Sequence, residues 1–186
     1  MPLLDSRSLF RYTIRKVVVA TGEVTTLAGS PGQFGSTDGQ GSRARFAGPA
    51  GVVSDNAGHL FVVDSGSQTI RKIVIATGVV TTLAGSPEAA GNVDGTGSAA
   101  RFKDPKGVAS DGAGNLFVAD EGNYTVRKIA IATGAVTTVV GTPDRLGVAP
   151  GPLPASLSCP AGLAFGPTGN LFITDECEDG VLLAEL

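Results

Sequence analysis

A chain of 186 residues, 42% hydrophobic and 17% charged, carries enough apolar material for one packed core and does not have the composition of a disordered segment. A net charge of −3 and a pI near 5.1 argue against strong non-specific nucleic-acid binding, which is driven by counterion release onto basic side chains. No apolar run approaches the ~20 residues of a membrane-spanning helix, and two cysteines are too few for a disulfide scaffold.

Glycine is 27 of 186 residues without a collagen period, which implies many tight turns. Tryptophan is absent, so the core must be aliphatic with a few phenylalanines. The first residues, Met1-Pro2-Leu3-Leu4-Asp5-Ser6-Arg7, lack the charged-then-apolar pattern of a secretion signal. The compartment is therefore left open, between a cytoplasmic protein and one whose true N-terminus lies upstream.

The chain opens at Arg11-Tyr12-Thr13-Ile14-Arg15 and runs into IRKVVVATGEVTTLAGS at 14–30. Closely similar segments follow at 70–86 and 126–142, a period of 56 residues, and the first two differ at only three of 17 positions. A second block, GPAGVVSDNAGHLFVVD at 48–64, recurs at 104–120 and, one residue early, at 159–175. Each period holds four short runs rich in β-branched residues. In the second complete copy they are Gly107–Ser110, Leu116–Ala119, Thr125–Ile131 and Ala135–Val140. Turns such as Asp111-Gly112-Ala113-Gly114-Asn115 and Ala132-Thr133-Gly134 place glycine where a hairpin needs positive φ. No stretch sustains a 3.6-residue period, and at most Ser42–Phe46 and Ser98–Phe102 make one helical turn.

Four antiparallel strands per repeat predict an all-β fold, a β-propeller of four-stranded antiparallel blades. A β-helix would need shorter coils and parallel pairing, which the hairpin turns oppose. The blades are expected at 9–30 (partial), 46–86 (complete), 102–142 (complete) and 157–186 (partial, with Val181–Leu186 as an irregular third strand). The total is about three blades, half of a six-bladed ring.

The run GVASDGAGNLFVAD, then YTVRKI and GAVTTVVG, resembles the NHL repeat, and the joining segments DGQGSRARF (38–46) and DGTGSAARF (94–102) resemble the linkers of long bacterial arrays of that repeat. The resemblance covers essentially the whole chain. It implies a six-bladed propeller, usually an interaction or ligand-binding module and often extracytoplasmic.

The candidate chemical residues divide by repeat position. Asp64, Asp120 and Asp175 end the second strands, where a metal ring is one reading and capping of backbone N–H groups the plainer one. Asp38-Gly39-Gln40-Gly41 and Asp94-Gly95-Thr96-Gly97 superficially suggest calcium loops but lack the alternating oxygen ligands. Arg71 and Arg127, with Lys72 and Lys128 and the earlier pair Arg15-Lys16, recur on the third strand. They offer either a basic stripe or bridges to the adjacent carboxylates. His59, the single histidine, falls at a turn position held elsewhere by Asn115 and Asn170, and cannot alone build a multi-ligand zinc site.

Phe46 and Phe102 close the joining segments at one repeat phase, where the third copy offers Leu157. They are expected to be buried between blades. Folding the last hairpin about residue 168 sets Cys159 opposite Cys177, a disulfide candidate. Two unrelated small residues in edge loops are the alternative, and an oxidising compartment would be required.

The expected function is a non-catalytic scaffold that binds a protein or small ligand through inter-strand loops on one propeller face. The rival is a fragment of a propeller-type lyase or lactonase needing a metal. No cofactor, metal or catalytic residue is assigned, nucleic acid is disfavoured and no membrane span is expected. Three blades would leave two apolar blade faces uncovered, so a homodimer completing a six-bladed ring is a candidate assembly.

Overall fold

The computed structural model describes residues 11–149 and 155–186, so residues 9 and 10 of the first expected blade, and the segment Met1–Arg7, lie outside the described residues. The long strands of the first three sheets follow the runs of the sequence period. The first sheet pairs β1 (Thr13–Val18) with β2 (Glu23–Gly29). The second contains β3 (Gly39–Gln40), β4 (Pro49–Ser54), β5 (His59–Asp64), β6 (Thr69–Val74) and β7 (Val79–Gly85). The third repeats it with β8 (Gly95–Thr96), β9 (Pro105–Ser110), β10 (Asn115–Asp120), β11 (Thr125–Ala130) and β12 (Ala135–Val140). The last holds β13 (Pro160–Phe165), β14 (Leu171–Asp175) and β15 (Gly180–Ala184).

In the two complete sheets the order is β3-β7-β6-β5-β4 and β8-β12-β11-β10-β9, all neighbours antiparallel. Each is the expected four-stranded meander, with a two-residue fifth strand that the joining segment lays along the outer edge. The helical turns of the joining segments are single 3-10 turns, Gly41–Arg43 and Gly97–Ala99. Two more, Ser65–Ser67 and Glu121–Asn123, join second to third strands and end in left-handed residues, Gln68 and Tyr124.

The last sheet corrects one expectation. The segment after Cys177 is not irregular: β15 pairs along the whole of β14, from Leu171 opposite Ala184 to Asp175 opposite Gly180. Alternation in Val181-Leu182-Leu183-Ala184 puts Leu182 and Ala184 against the preceding sheet and Val181 and Leu183 outward.

The sheets stack in chain order. They approach most closely at their first strands, β4 on β9 and β9 on β13, as blades converging on an axis must. A side chain at Gly51 would put its Cβ 2.5 Å from the Lys106 carbonyl oxygen, and one at Gly107 would strike the Ala161 carbonyl. Glycine at this phase sets the blade spacing.

Between blades the core is aliphatic with phenylalanine anchors. Phe61, Val63 and Ile70 from one sheet meet Leu116, Val118 and Ile129 from the next. Phe102 is fully buried in that seam, and a Cβ on Gly85 of the preceding blade would lie 3.2 Å from its ring. Phe46 takes the same place one repeat earlier, with Ala28, Val62 and Ile73. Leu157 takes it one repeat later, with Val126, Val140 and Leu171.

Candidate binding face

An antiparallel meander sends its turns alternately to two sides. The ends of the second strands, the starts of the third and the blade-joining segments share one side. The hairpins between first and second strands, and between third and fourth, share the other.

The joining-segment side is built on a buried ionic clamp that occurs twice. At the end of β5, the Asp64 carboxylate accepts the backbone N–H of Ala47 (2.9 Å) and Gly48 (2.7 Å) and the Ser67 hydroxyl (2.7 Å). Arg71, two residues into β6, donates from Nη1 to Asp64 (3.4 Å) and to the Arg45 carbonyl (2.9 Å). Its Nη2 donates to the Thr37 carbonyl (3.2 Å) and to Asp38 (2.7 Å). Asp38 in turn accepts from the N–H and hydroxyl of Thr82 on β7. The guanidinium carbon stands 5.2 Å from the centre of the Phe46 ring, within cation–π range.

The third sheet repeats the clamp with two changes: the N–H of Asp104, the counterpart of Gly48, donates to Gln68 instead, and Asn123 stands in place of Ser67. Asp120 accepts from Lys103 N–H (2.7 Å), Asn123 (2.7 Å) and Arg127 (2.9 Å). Arg127 also donates to the carbonyls of Arg101 and Val93 and to Asp94 (2.6 Å), beside Phe102 at 5.3 Å. Arg71, Arg127, Asp64 and Asp120 are all fully buried. Burial pushes the Asp120 carboxyl up to about 6, against the lowering influence of the Lys103 N–H, Asn123 and Arg127.

The arginines of the recurrent basic pairs therefore form no stripe in these two blades: they lie inside, pinning the joining segments to the blades. Their lysine neighbours point to the opposite face of the strand, and the Lys128 ammonium sits 5.8 Å from the Phe117 ring centre. Asp38 and Asp94, with the look of calcium loops in sequence, serve as the outer carboxylates of the clamp. Their role was hidden because they precede their arginines by 33 residues. The one local sign was their fixed phase in both copies.

The third copy lacks the arginine. Asp175 accepts from the N–H of Ser158 (2.7 Å) and Cys159 (2.9 Å), and among the described residues no cation reaches it. Here Cys159 and Cys177 are joined by a disulfide, with Cα atoms 5.3 Å apart. The pairing of Leu163 with Ile173 and Phe165 with Leu171 has the register of a fold about residue 168, which slips once between Leu163 and Pro160.

On the opposite side, Asp55 and Asp111 cap hairpin turns, Asp55 accepting from the N–H of Ala57 and His59, and Asp111 from those of Ala113 and Asn115. His59 Nδ1 lies 2.6 Å from Asp55, where Asn115 Nδ2 meets Asp111 at the same distance. Desolvation tends to raise the Asp55 carboxyl, but the Ala57 and His59 bonds outweigh it and hold it below the usual value. Among the described residues no three His, Cys, Asp or Glu side chains gather as a metal site.

Between two joining segments lies a polar hollow of about 270 Å³, lined by Ala90, Gly91, Asn92, Lys103, Asn123 and Asp144. Asn123 donates to the Gly91 carbonyl and Asn92 to Asp144. Lys103 is exposed at its rim. Sequence reasoning missed this hollow, since its lining comes from two successive joining segments and the turn between β10 and β11.

A family model described as NHL repeat matches residues 46–73, from Phe46 through β6. The human NHL repeat-containing protein 2 is 33% identical over 180 residues, covering 91% of this chain and 24% of the human protein. The chain thus spans about a quarter of that relative's length. Two solved structures from Bacteroides thetaiotaomicron share the fold. A structural-genomics protein of unknown function has a TM-score of 0.73 at 22% identity, covering 91% of this chain and 41% of that one. An auxiliary nutrient binding protein has a TM-score of 0.72 at 18% identity, covering 95% of this chain and 44% of that one.

Proposed function

We propose, for a chain that belongs to the NHL-repeat family, the role of a non-catalytic scaffold that binds a protein or small ligand through its joining-segment face. The observation that carries this reading is the repeated clamp. In each complete blade an arginine and two carboxylates, the groups a reactive site would draw on, are spent on fixing the joining segment and the turn beside it. Fixing loops in advance lowers the ordering entropy lost on binding. The hollow between them presents a cation, a carboxylate and two amides at its wall, groups suited to a polar peptide or a small polar ligand.

The test compares two surface variants of the chain, Lys103→Glu on the joining-segment face and His59→Asn on the opposite face. Immobilised side by side, they are scored against the unmodified chain for retained proteins and for small polar ligands detected by mass spectrometry. The expected result is loss of the retained species with Lys103→Glu alone, at unchanged melting temperature. Equal retention by both variants, or stoichiometric metal accompanied by lactone hydrolysis, would overturn the reading.

A further inference from the structure

The polar hollow owes its chemistry to residues that differ between copies of the repeat. Lys103 and Asn123 stand where the preceding blade has Ala47 and Ser67 and the following one, a residue early, has Ser158 and Glu178. Ser67 turns its hydroxyl to Asp64 and to Thr69, both at 2.7 Å. Ser158 donates to Glu178 (2.8 Å). Among the described residues, the middle joint alone therefore sets a cation beside an amide at these phases. Ala90, where the neighbouring joints carry Phe34 and Leu146, leaves the wall without a bulky apolar side chain.

The polar groups of the hollow are held, and each keeps something for a ligand. Asn123, 2% exposed, donates from Nδ2 to the Gly91 carbonyl and to Asp120, both at 2.7 Å. Both amide hydrogens are committed, so its Oδ1 remains as an acceptor. Asn92 Nδ2 donates to one carboxylate oxygen of Asp144 (3.1 Å), which ties the two joining segments together beside the hollow. The other carboxylate oxygen and the Asn92 carbonyl are left as acceptors. The stem of Lys103 crosses Gly122, where a Cβ would lie 2.7 Å from Lys103 Cγ. Of the two lysines at the start of β9, Lys106 is spent on Glu121 (3.2 Å), whereas the Lys103 ammonium has no ion-pair partner among the described residues.

The wall thus carries one cation, one anion and two amide carbonyls, with no net charge. Its complement is a small molecule that is itself neutral overall, with a carboxylate and an ammonium a few bonds apart. Hydrogen bonds to ionised groups are roughly twice as strong as neutral ones, so both ends of such a molecule count. The volume of about 270 Å³ lies below the roughly 300–1,000 Å³ of pockets for drug-sized ligands, which limits the side chain to a small one. We propose that the hollow binds a free α-amino acid with a small side chain, its carboxylate on Lys103 and its ammonium on Asp144 and the carbonyls of Asn92 and Asn123. This rests on the reading of the joining-segment face as the binding face and names the ligand class for it.

The 186-residue chain is titrated with L-alanine, with N-acetyl-L-alanine, which lacks the ammonium, and with L-alaninamide, which lacks the carboxylate. Binding is followed by NMR at the side-chain amides of Asn92 and Asn123. L-alanine is expected to shift both amides, and each analogue to bind at least about tenfold more weakly. Lys103→Gln is expected to erase the preference for L-alanine over L-alaninamide, and Asp144→Asn the preference over N-acetyl-L-alanine, both at unchanged melting temperature. No shift at about 10 mM L-alanine, beyond millimolar affinity, equal binding of the three compounds, or preferences that survive both substitutions would each overturn the proposal. Loss of retained species with Lys103→Glu, together with no response to L-alanine, would overturn this ligand class and leave the binding face standing. Equal retention by Lys103→Glu and His59→Asn, with no response to L-alanine, would overturn both.

Discussion

Arg127→Ala removes four hydrogen bonds, to the carbonyls of Arg101 and Val93 and the carboxylates of Asp120 and Asp94. Asp120, fully buried, is left without its cation. Breaking a buried pair from one side costs about 3–5 kcal/mol, because a charge stays behind in a poorly polarisable site. That is a large part of the roughly 5–15 kcal/mol that holds a domain folded. The loss is tied to pH. In the parent protein burial raises the Asp120 carboxyl from 3.8 to about 6. Between those values the folded state holds a proton that the unfolded chain has released, so stability falls as pH rises through the window and then levels off. Two units correspond to about 3 kcal/mol at most. Without Arg127 the carboxyl titrates higher still and the window extends upward. The destabilisation should therefore be larger at pH 8 than at pH 5, where the carboxyl is protonated in both folded proteins. Urea unfolding followed by far-ultraviolet circular dichroism at the two pH values measures this. A loss below about 1 kcal/mol at pH 8, or equal losses at both, would refute the account of Arg127 as the counter-charge of Asp120.

Three further outcomes are expected. Phe102→Ala should destabilise by about 3–5 kcal/mol, the range for emptying a fully buried aromatic site, and a change below about 1 kcal/mol in urea unfolding would exclude a seam-filling role. Cys159→Ser should cost about 2–4 kcal/mol under oxidising conditions and nothing once reductant is present, with hydrogen exchange locating the loosening in β13–β15 and an unchanged oxidised melting curve counting against it. Gly107→Val should destabilise more than Val52→Ala, since its side chain meets the Ala161 carbonyl whereas Val52 is exposed, and the reverse order in thermal melting would contradict glycine-set blade spacing.

The fold was legible because the repeat displays the same local chemistry three times. Gly114 and Gly134, with positive φ, sit in the turns their sequence assigns, and the β-branched runs between them have no competing helical period. The clamp was legible by halves. Asp64 and Arg71 belong to one hairpin, so their meeting follows from antiparallel pairing. Asp38 lies 33 residues before Arg71, with β4 and β5 between them, and nothing in a linear reading brings the two together. The regularity of β15 escaped because GVLLAEL does not match the VRKIAIA pattern of the other third strands. What shapes it is the apolar seam against Leu171 and Ile173: tertiary burial, not local pattern, decides a strand of this kind.

The disulfide and the clamp meet one mechanical need. Each blade must hold the start of its first strand against the turn that follows its second, because that junction fixes where the joining segment crosses the face. In the second and third sheets the terminal carboxylate holds the backbone of the first-strand approach, and arginine holds the carboxylate. In the last sheet Asp175 still holds Ser158 and Cys159, the arginine phase is leucine, and the added constraint is covalent, from Cys159 to Cys177 just beyond Asp175. The bond Glu176 N–H to Cys159 carbonyl (3.0 Å) repeats Ser65 N–H to Gly48 carbonyl (2.9 Å), so the cross-link closes the same junction. The two devices differ in what undoes them. An ionic clamp responds to the protonation of its carboxylate, whereas the disulfide responds to thiol reductants. Reductant should therefore loosen the last blade and spare the inner two, while Arg127→Ala should leave the last blade's exchange rates nearly unchanged. Loosening of all blades together by either treatment would show that the junctions are not separately held.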